Sequence, residues 1–471
     1  MRAKVKLISL CVAGAACVVY AQNPGGSPSP ARDGGVQPTT ADLQLVLQRL
    51  DRLEAQNQEL MSEIRALREQ LGSSGAAAGA AQTAEPPPQL RVQEQIETSR
   101  NQIAQLDQEK ISTDHKLPLT LTGMLLFNGF WTGQNGGGAD NPTVARNPST
   151  PPASSGGGMF RQSVVGVKFE GPEIPGGGRI TGSAYIDFFG GTGVTLNQLL
   201  RLRVASIDAN WKTTTLTFAL DKPIIAPREP DSLAQVGVSP LTSAGNLWLW
   251  QPQVRIEQRV GFGDQAGLRG QFGVYQTSEG GIGTVPSEYA ASVAKNRPGY
   301  QGRFELWAQP SESSRIEIAP AFHASDSRVG PYSVPSRIFS IDWLIRPFSR
   351  IDLTGTYFHG ENVGVVGGLR QGVSFIADVP RPVAASGGWA QLKIRVTPRV
   401  TFNFYGGQED DRNSDLQSGA IAKNQTYAGN IMYRLGSNVL ASFETSRTRT
   451  TYLNSGTLTF PHYDLGLAYL F

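Results

Sequence analysis

The chain closes with His462-Tyr463-Asp464-Leu465-Gly466-Leu467-Ala468-Tyr469-Leu470-Phe471. Tyr463, Leu465, Leu467, Tyr469 and Phe471 occupy every second position. Side chains of a β-strand point alternately to its two faces, so this segment reads as a strand with one continuous aromatic and aliphatic face. A strand of this kind suits a wall with hydrocarbon on one side and water on the other.

The same period of two reaches back to residue 117. Leu117, Leu119 and Leu121 alternate with Pro118, Thr120 and Thr122, and the pattern continues through Gly123, Leu125, Phe127 and Trp131. From there to the end, about ten residues of alternation and then a break recur as one unit. The breaks themselves alternate in length. Short ones fall at 171–177, 211–213, 261–266, 310–313, 347–349, 397–399 and 435–437. Long ones fall at 132–158, 190–198, 222–246, 277–298, 325–334, 360–385, 410–423 and 450–460. Seven short turns and eight long loops join sixteen strands.

An even number of antiparallel strands, with tight turns at one end and long loops at the other, predicts an all-β, 16-stranded transmembrane barrel over 117–471. The cause is backbone hydrogen bonding. No amide can go unpaired in hydrocarbon, so the sheet must close on itself. Lipid-facing positions are predicted at Ile180, Ala184, Ile186, Phe188, Val254, Ile256, Phe272, Ile316, Ile318, Leu392, Ile394, Phe402 and Phe404. Out of phase with them lie lumen positions such as Arg179, Thr181, Tyr185, Asp187, Gln271 and Lys393. A soluble sandwich explains neither this phase relation nor the two loop lengths. Trp131, Phe188, Phe189, Trp248, Trp250, Trp343, Tyr357, Tyr433, Tyr463 and Tyr469 lie near strand ends, where interfacial aromatic girdles belong.

Composition agrees with this. The 471 residues include 54 Gly and 30 Pro, with 39% hydrophobic and 17% charged residues. After the first 21 residues no apolar run reaches the ~18 residues of a membrane helix. Residues 1–21 pair a basic start with an apolar stretch from Leu7 to Val19 and a Val19-Tyr20-Ala21 cleavage site, the pattern of a signal peptide. Cys11 and Cys17, the two cysteines, and Arg2, Lys4 and Lys6 all fall inside it. The remainder balances 39 basic against 39 acidic residues, so net charge gives no sign of nucleic-acid binding.

Residues 22–38 are rich in Gly, Pro and Ser and predict disorder. Over 39–71 a four-heptad coiled coil is predicted. Leu43, Leu50, Asn57, Ile64 and Leu71 take one seam position; Val46, Leu53, Leu60 and Leu67 take the other. Asn57 fixes the register. A flexible linker at 72–88 and a short helix at 89–112 complete the N-terminal α-helical extension.

The terminal aromatic strand resembles that of bacterial outer-membrane porins. The order of signal, coiled coil, linker, helix and barrel is similar to the DcaP-like trimeric porins. So are Leu119-Thr120-Leu121-Thr122-Gly123-Met124, the turn around Asn210-Trp211-Lys212, and Gly245-Asn246-Leu247-Trp248-Leu249-Trp250-Gln251-Pro252. The resemblance implies a homotrimer in the outer membrane, among lipopolysaccharide, with the coiled coil as a periplasmic stalk and peptidoglycan as its candidate contact. It implies that Tyr469 and Phe471 are read by the barrel-assembly machinery. It also implies that the third long loop, 222–246, folds inward and narrows the channel, with Lys222, Arg228, Glu229 and Asp231 as its charges. The apolar residues Ile224, Ile225, Leu233, Val236, Val238 and Leu241, stiffened by Pro223, Pro227, Pro230 and Pro240, suit a packed plug.

On the wall, Arg201, Arg203, Arg255, Arg259, Arg269, Arg303, Arg315 and Arg395 are predicted to line the pore, with Glu257, Glu305 and Glu317 among them. Charge in a narrow low-dielectric passage biases ion entry, and a basic ladder favours anions. The other reading is that these arginines pair with glutamates and hold the wall. The resemblance tips the expectation toward small anionic solutes such as dicarboxylates. His115, His323, His359 and His462 are scattered without ligand spacing, so no metal or cofactor is expected. Glu409, Asp410, Asp411 and Asp415 are expected in a solvated loop. No catalytic constellation stands out, which disfavours a barrel enzyme. A tether or adhesin anchored by the barrel is the remaining alternative.

Overall fold

The computed structural model describes residues 118–137, 140–191, 198–279, 285, 287–293, 297–369 and 371–471. The predicted signal peptide, disordered segment, coiled coil with Asn57, linker and short helix lie outside the described residues.

The strands are β1 (Leu119–Thr132), β2 (Ser155–Met159), β3 (Val164–Ile174), β4 (Gly178–Gly190), β5 (Leu199–Asn210), β6 (Thr214–Asp221), β7 (Gln251–Gly261), β8 (Ala266–Gln276), β9 (Pro298–Ser311) and β10 (Ser314–Val329). They continue as β11 (Tyr332–Phe348), β12 (Ile351–Glu361), β13 (Val373–Ile376), β14 (Val379–Pro382), β15 (Ala384–Arg395), β16 (Val400–Asp411), β17 (Ile421–Arg434), β18 (Val439–Tyr452) and β19 (Gly456–Leu470). All except the β13–β14 hairpin belong to one antiparallel sheet. β2 and β3 both pair with β1, one above the other, and so form a single interrupted stave. β1 also pairs with β19, from Met124↔Leu470 to Thr132↔His462, which closes the sheet into sixteen staves. The sheet has no free edge.

The alternation that predicts the strands also orients them. Leu465, Leu467, Tyr469 and Phe471 are exposed on the outer surface, while His462, Asp464 and Ala468 are buried inside. The same holds for Val254 and Ile256 against Gln253 and Glu257, and for Ile316 and Ile318 against Glu317 and Ala319. The apolar surface faces outward and the polar surface inward, the reverse of a soluble barrel.

Two expectations fail at the loop end. Segments 325–334 and 450–460 are not long loops. β10 and β11 run to 16 and 17 residues and meet at Gly330-Pro331. Gly330 takes φ +60°, the left-handed backbone this two-residue connection requires. β18 and β19 likewise extend to a three-residue link at 453–455. Ser325, Asp326 and Ser327 look like loop residues, yet Ser325 and Ser327 are buried on the lumen face and continue the alternation.

The aromatic girdle also needs correction. Phe189, Trp248 and Trp250 are not at the lipid interface. The outward residue of that pair is Phe188, and Phe189 lies against Gly237 of the long loop inside the barrel. Glu409 and Asp411 are not in a solvated loop either. Both are buried on the inner face of β16, whereas Asp410 points outward and pairs with Lys423 at 2.8 Å.

Candidate pore constriction

The connection between β6 and β7, residues 222–250, turns into the bore instead of out to solvent. Its composition explains why. Ile225, Ala244 and Leu247 are fully buried and Leu233 and Leu241 nearly so. Burying each large aliphatic side chain is worth roughly 1.5–3 kcal/mol, a gain an outward loop would forgo. Ile225, Ala226 and Leu247 pack with Ala321, Ile338 and Phe358 of the wall. Leu233 and Val236 pack with Leu126 and Ala468, and Leu241 and Ala244 with Trp389 and Tyr405.

Polar side chains of the wall catch the loop backbone along its path. Gln301 Oε1 accepts from the amide of Ile224 at 2.6 Å, and Ser340 Oγ donates to the carbonyl of Ile225 at 2.8 Å. The amide of Asp231 donates to Gln391 Oε1 at 2.6 Å. Asn128 Nδ2 donates to the carbonyl of Leu233 at 2.9 Å. Gln162, in the interruption between β2 and β3, donates to the carbonyl of Ala234 at 2.7 Å and accepts from the amides of Val236 and Gly237. Arg201 reaches the carbonyl of Gly237 at 2.7 Å, and Asn424 that of Ser243 at 2.8 Å. These groups come from staves all round the barrel, so the loop spans the bore.

A polar row on the inner wall anchors the tip. Asn403 donates to Asn430, Asn430 to Glu444, and Asn128 to Asp464, at 2.8 to 2.9 Å. Ser232 Oγ of the loop donates to Glu444 at 2.6 Å.

The predicted pore arginines all lie on the inner side, and every one has a carboxylate partner. Arg201 and Arg203 share Asp187, at 2.6 and 3.4 Å. Arg255 pairs with Asp221 at 3.0 Å. A continuous ladder runs Arg259–Glu257–Arg269–Glu305–Arg303–Asp342–Arg228–Glu317–Arg315. It alternates in sign, carries five cations to four anions, and ends on a cation at both sides. Arg395 and Arg346 share Asp352. The loop's remaining charges pair as Lys222–Glu229 at 2.7 Å and Asp231–Lys393 at 2.8 Å. Thus the basic wall is a set of ion pairs with cations in excess. Arg228 is the only loop charge that enters the long ladder.

Between the loop and the wall of β11, β12 and β15 lies a cavity of about 310 Å³. Arg228, Glu229, Asp231, Arg346, Asp352, Lys393 and Arg395 surround it. Burial alone would raise the Glu229 carboxyl, but Lys222, the Ser239 hydroxyl at 2.6 Å and Arg203 outweigh it and hold it below the ordinary glutamate range. On the other flank, cationic and aromatic groups stack in the order Arg161, Phe189, Arg201, Trp250, Arg203. The guanidinium-to-ring distances along it are 4.1, 5.4, 4.7 and 4.8 Å.

Asp342, Arg346, Asp352, Asn128, Gln162, Asn430, Glu444 and Asp464 were not among the predicted pore residues. Asp342 was within reach of the alternation, since it falls in phase with Ser340 between Ile341 and Trp343. The anchoring row was not, because its members lie on different strands.

No protein-family model and no curated protein matches the sequence. Solved structures do. The outer membrane channel DcaP of Acinetobacter baumannii superposes with a TM-score of 0.59 at 13% identity, over 75% of this chain and 97% of that one. The anion-selective porin from Comamonas acidovorans gives 0.48 at 11% identity, over 75% and 99%. Salmonella typhi OmpF gives 0.48 at 12% identity, over 75% and 97%. The expected resemblance to the DcaP channel is thus present at the level of the fold, a sixteen-stranded closed barrel.

Proposed function

We propose that the protein is a bacterial outer-membrane porin. It passes small hydrophilic solutes passively through one pore per subunit of a homotrimer, with preference for anions. The observation that carries this reading is the unequal sharing of carboxylates at the constriction. Asp187 serves Arg201 and Arg203, Asp352 serves Arg346 and Arg395, and the long ladder has five guanidiniums for four carboxylates. Each group is one positive charge in excess. Ion pairing holds these side chains in fixed positions, and the surplus favours anions beside them, while Glu444 and Asp464, which have no cationic partner among the described residues, sit at the loop tip.

The test is conductance of the purified protein in a planar bilayer. Steady ohmic steps in groups of three support a trimeric porin. In a KCl gradient the reversal potential takes the sign of chloride preference. A protein that inserts without conducting supports the tether reading instead, and a cation-selective pore overturns the charge argument.

A further inference from the structure

The 310 Å³ cavity beside the constriction loop carries both signs of charge, and they are sorted along its length. Gln391, Lys393 and Arg395 follow one another at every second position of β15 and all line it. At one end stands Asp231 of the loop. Its amide donates to Gln391 Oε1 at 2.6 Å, and its Oδ2 accepts from Gln391 Nε2 at 2.5 Å and pairs with Lys393 at 2.8 Å. At the other end Arg395 and Arg346 of β11 share Asp352, which is opposite Lys393 in the ladder. Each two-residue step along a strand covers about 6.6 Å. Asp231 and the guanidiniums are thus between one and two steps apart, about 7–13 Å.

Both ends keep hydrogen-bonding capacity that the protein does not use. Both contacts of the Asp231 carboxylate go to Oδ2, no hydrogen bond reaches Oδ1 among the described residues, and the side chain is 40% exposed. Arg346 directs Nε and Nη2 to Asp352, at 2.6 and 3.1 Å. Its Nη1 makes no hydrogen bond among the described residues, and its side chain is 34% exposed. The cavity therefore offers an accepting carboxylate oxygen at one end. At the other it offers a donating guanidinium nitrogen, where two cations share one carboxylate.

We propose that this cavity binds zwitterionic peptides of two or three residues, with the carboxylate on Arg346 and Arg395 and the ammonium on Asp231. The inference rests on the porin reading above and narrows its solute class. A peptide chain advances about 3.3–3.6 Å per residue, so two or three residues reach from one end to the other. The order of charge selects this class. A dicarboxylate of the same length, seated on the guanidiniums, would set its second carboxylate against Asp231. A diamine seated on Asp231 would set its second ammonium against Arg346. A single amino acid, with both charges on one carbon, reaches only one end.

The probe is triglycine, with binding to the full-length protein in detergent read by saturation-transfer NMR at low salt, where charge is least screened. N-acetyltriglycine carries the carboxylate alone and triglycinamide the ammonium alone. The wild type is expected to bind triglycine about tenfold more tightly than either, the effect of one charge-assisted hydrogen bond. Asp231→Asn is expected to weaken triglycine by a similar factor and to strengthen N-acetyltriglycine, because Lys393 loses its partner. A loop that is merely displaced would weaken both. Arg346→Gln is expected to weaken triglycine and N-acetyltriglycine and to leave triglycinamide unchanged. Bilayer conductance is measured on the same preparations, so failure of the porin reading shows as a wild type that carries no current, whatever the binding result. Equal binding of triglycine and N-acetyltriglycine by the wild type overturns the proposal and marks a plain anion site. So does an Asp231→Asn variant that loses both peptides alike.

Discussion

Glu444 and Asp464 stand directly opposite each other across β18 and β19, both almost wholly buried. Among the described residues neither has a cationic partner. Like charges directly opposed in a ladder destabilise it. These two are retained at the point where the constriction loop is fastened. Asp464→Asn keeps the oxygen that accepts from Asn128 and offers an amide toward Glu444. It is expected to raise thermal stability in detergent by about 1 kcal/mol. A lowered melting temperature would show that the second carboxylate is needed as such.

The fastening itself is testable. Ser232 and Asn430 both donate to Glu444 Oε2, at 2.6 and 2.9 Å. Hydrogen bonds to charged groups are worth roughly 1.5–3 kcal/mol. The double variant Ser232→Ala/Asn430→Ala removes both bonds to Glu444 while the barrel pairing stays intact, which loosens the loop tip. Open-channel current noise is expected to rise, with brief excursions to higher conductance. Single-channel records with wild-type noise would mean that the apolar contacts of Leu233 and the bonds from Asn128, Gln162, Gln391 and Lys393 suffice to hold the loop.

On the proposed porin reading, selectivity turns on the shared carboxylates. Asp352→Asn releases both Arg346 and Arg395 from their common partner at the 310 Å³ cavity. One unit charge about 8 Å from an ion in water contributes about 0.5 kcal/mol, roughly twofold in a permeability ratio. Anion preference is therefore expected to rise about twofold in Asp352→Asn and to fall by a similar factor in Arg395→Gln. Reversal potentials that move the same way in both variants contradict the assignment.

On the same reading, not every arginine of the ladder is placed to act on permeating ions. Arg303 is fully buried, with Asp342 at 2.7 Å and Glu305 at 2.8 Å. Removing one member of a buried ion pair costs about 3–5 kcal/mol. Arg303→Met should therefore refold poorly or melt early. Arg259, whose side chain is 55% exposed at the end of the same ladder, should tolerate Gln with little change in stability and a measurable loss of anion preference. Equal stability losses in both would show that the ladder acts as one structural unit.

How much of this could be read in the sequence depends on the range of the interaction. Alternation is local, so Val254, Arg255, Ile256 and Glu257 declare their faces without a partner. Strand count follows from it, whereas the inward loop is implied by the porin resemblance and supported by the apolar residues and prolines of 222–246. Strand ends are less legible, because outside hydrocarbon the strand no longer needs an apolar face. Ser325 to Val329 therefore passes for loop while continuing a ladder with β11. Least legible is the docking row. Asn128, Asn430, Glu444 and Asp464 are ordinary polar residues in their own strands; the pairing of β17, β18 and β19 aligns the last three, and closure of β1 on β19 adds Asn128. The arginines were visible as lumen residues, but the identity of their partners was not. Asp342 binds Arg303 from two strands away because both side chains project into the same bore.

Acid should tighten one loop. Glu279 follows β8, where its carboxylate accepts from Thr277 Oγ1 at 3.0 Å and Ser327 Oγ at 2.5 Å. Burial raises it above the ordinary glutamate range. The two hydroxyls and Arg297 pull the other way and do not prevail. The docked loop thus binds a proton more tightly than the free segment does. Its attachment strengthens as pH falls toward the ordinary glutamate value of about 4.3 and weakens as pH rises through the raised value. Amide exchange over 287–293, corrected for the intrinsic effect of pH, should slow on going from pH 7.5 to pH 5. Glu279→Gln mimics the protonated form, so exchange in the variant should be slow at both values and nearly independent of pH. A wild-type loop that exchanges faster at pH 5 would reverse the sign and identify the ionised carboxylate as the group that holds it.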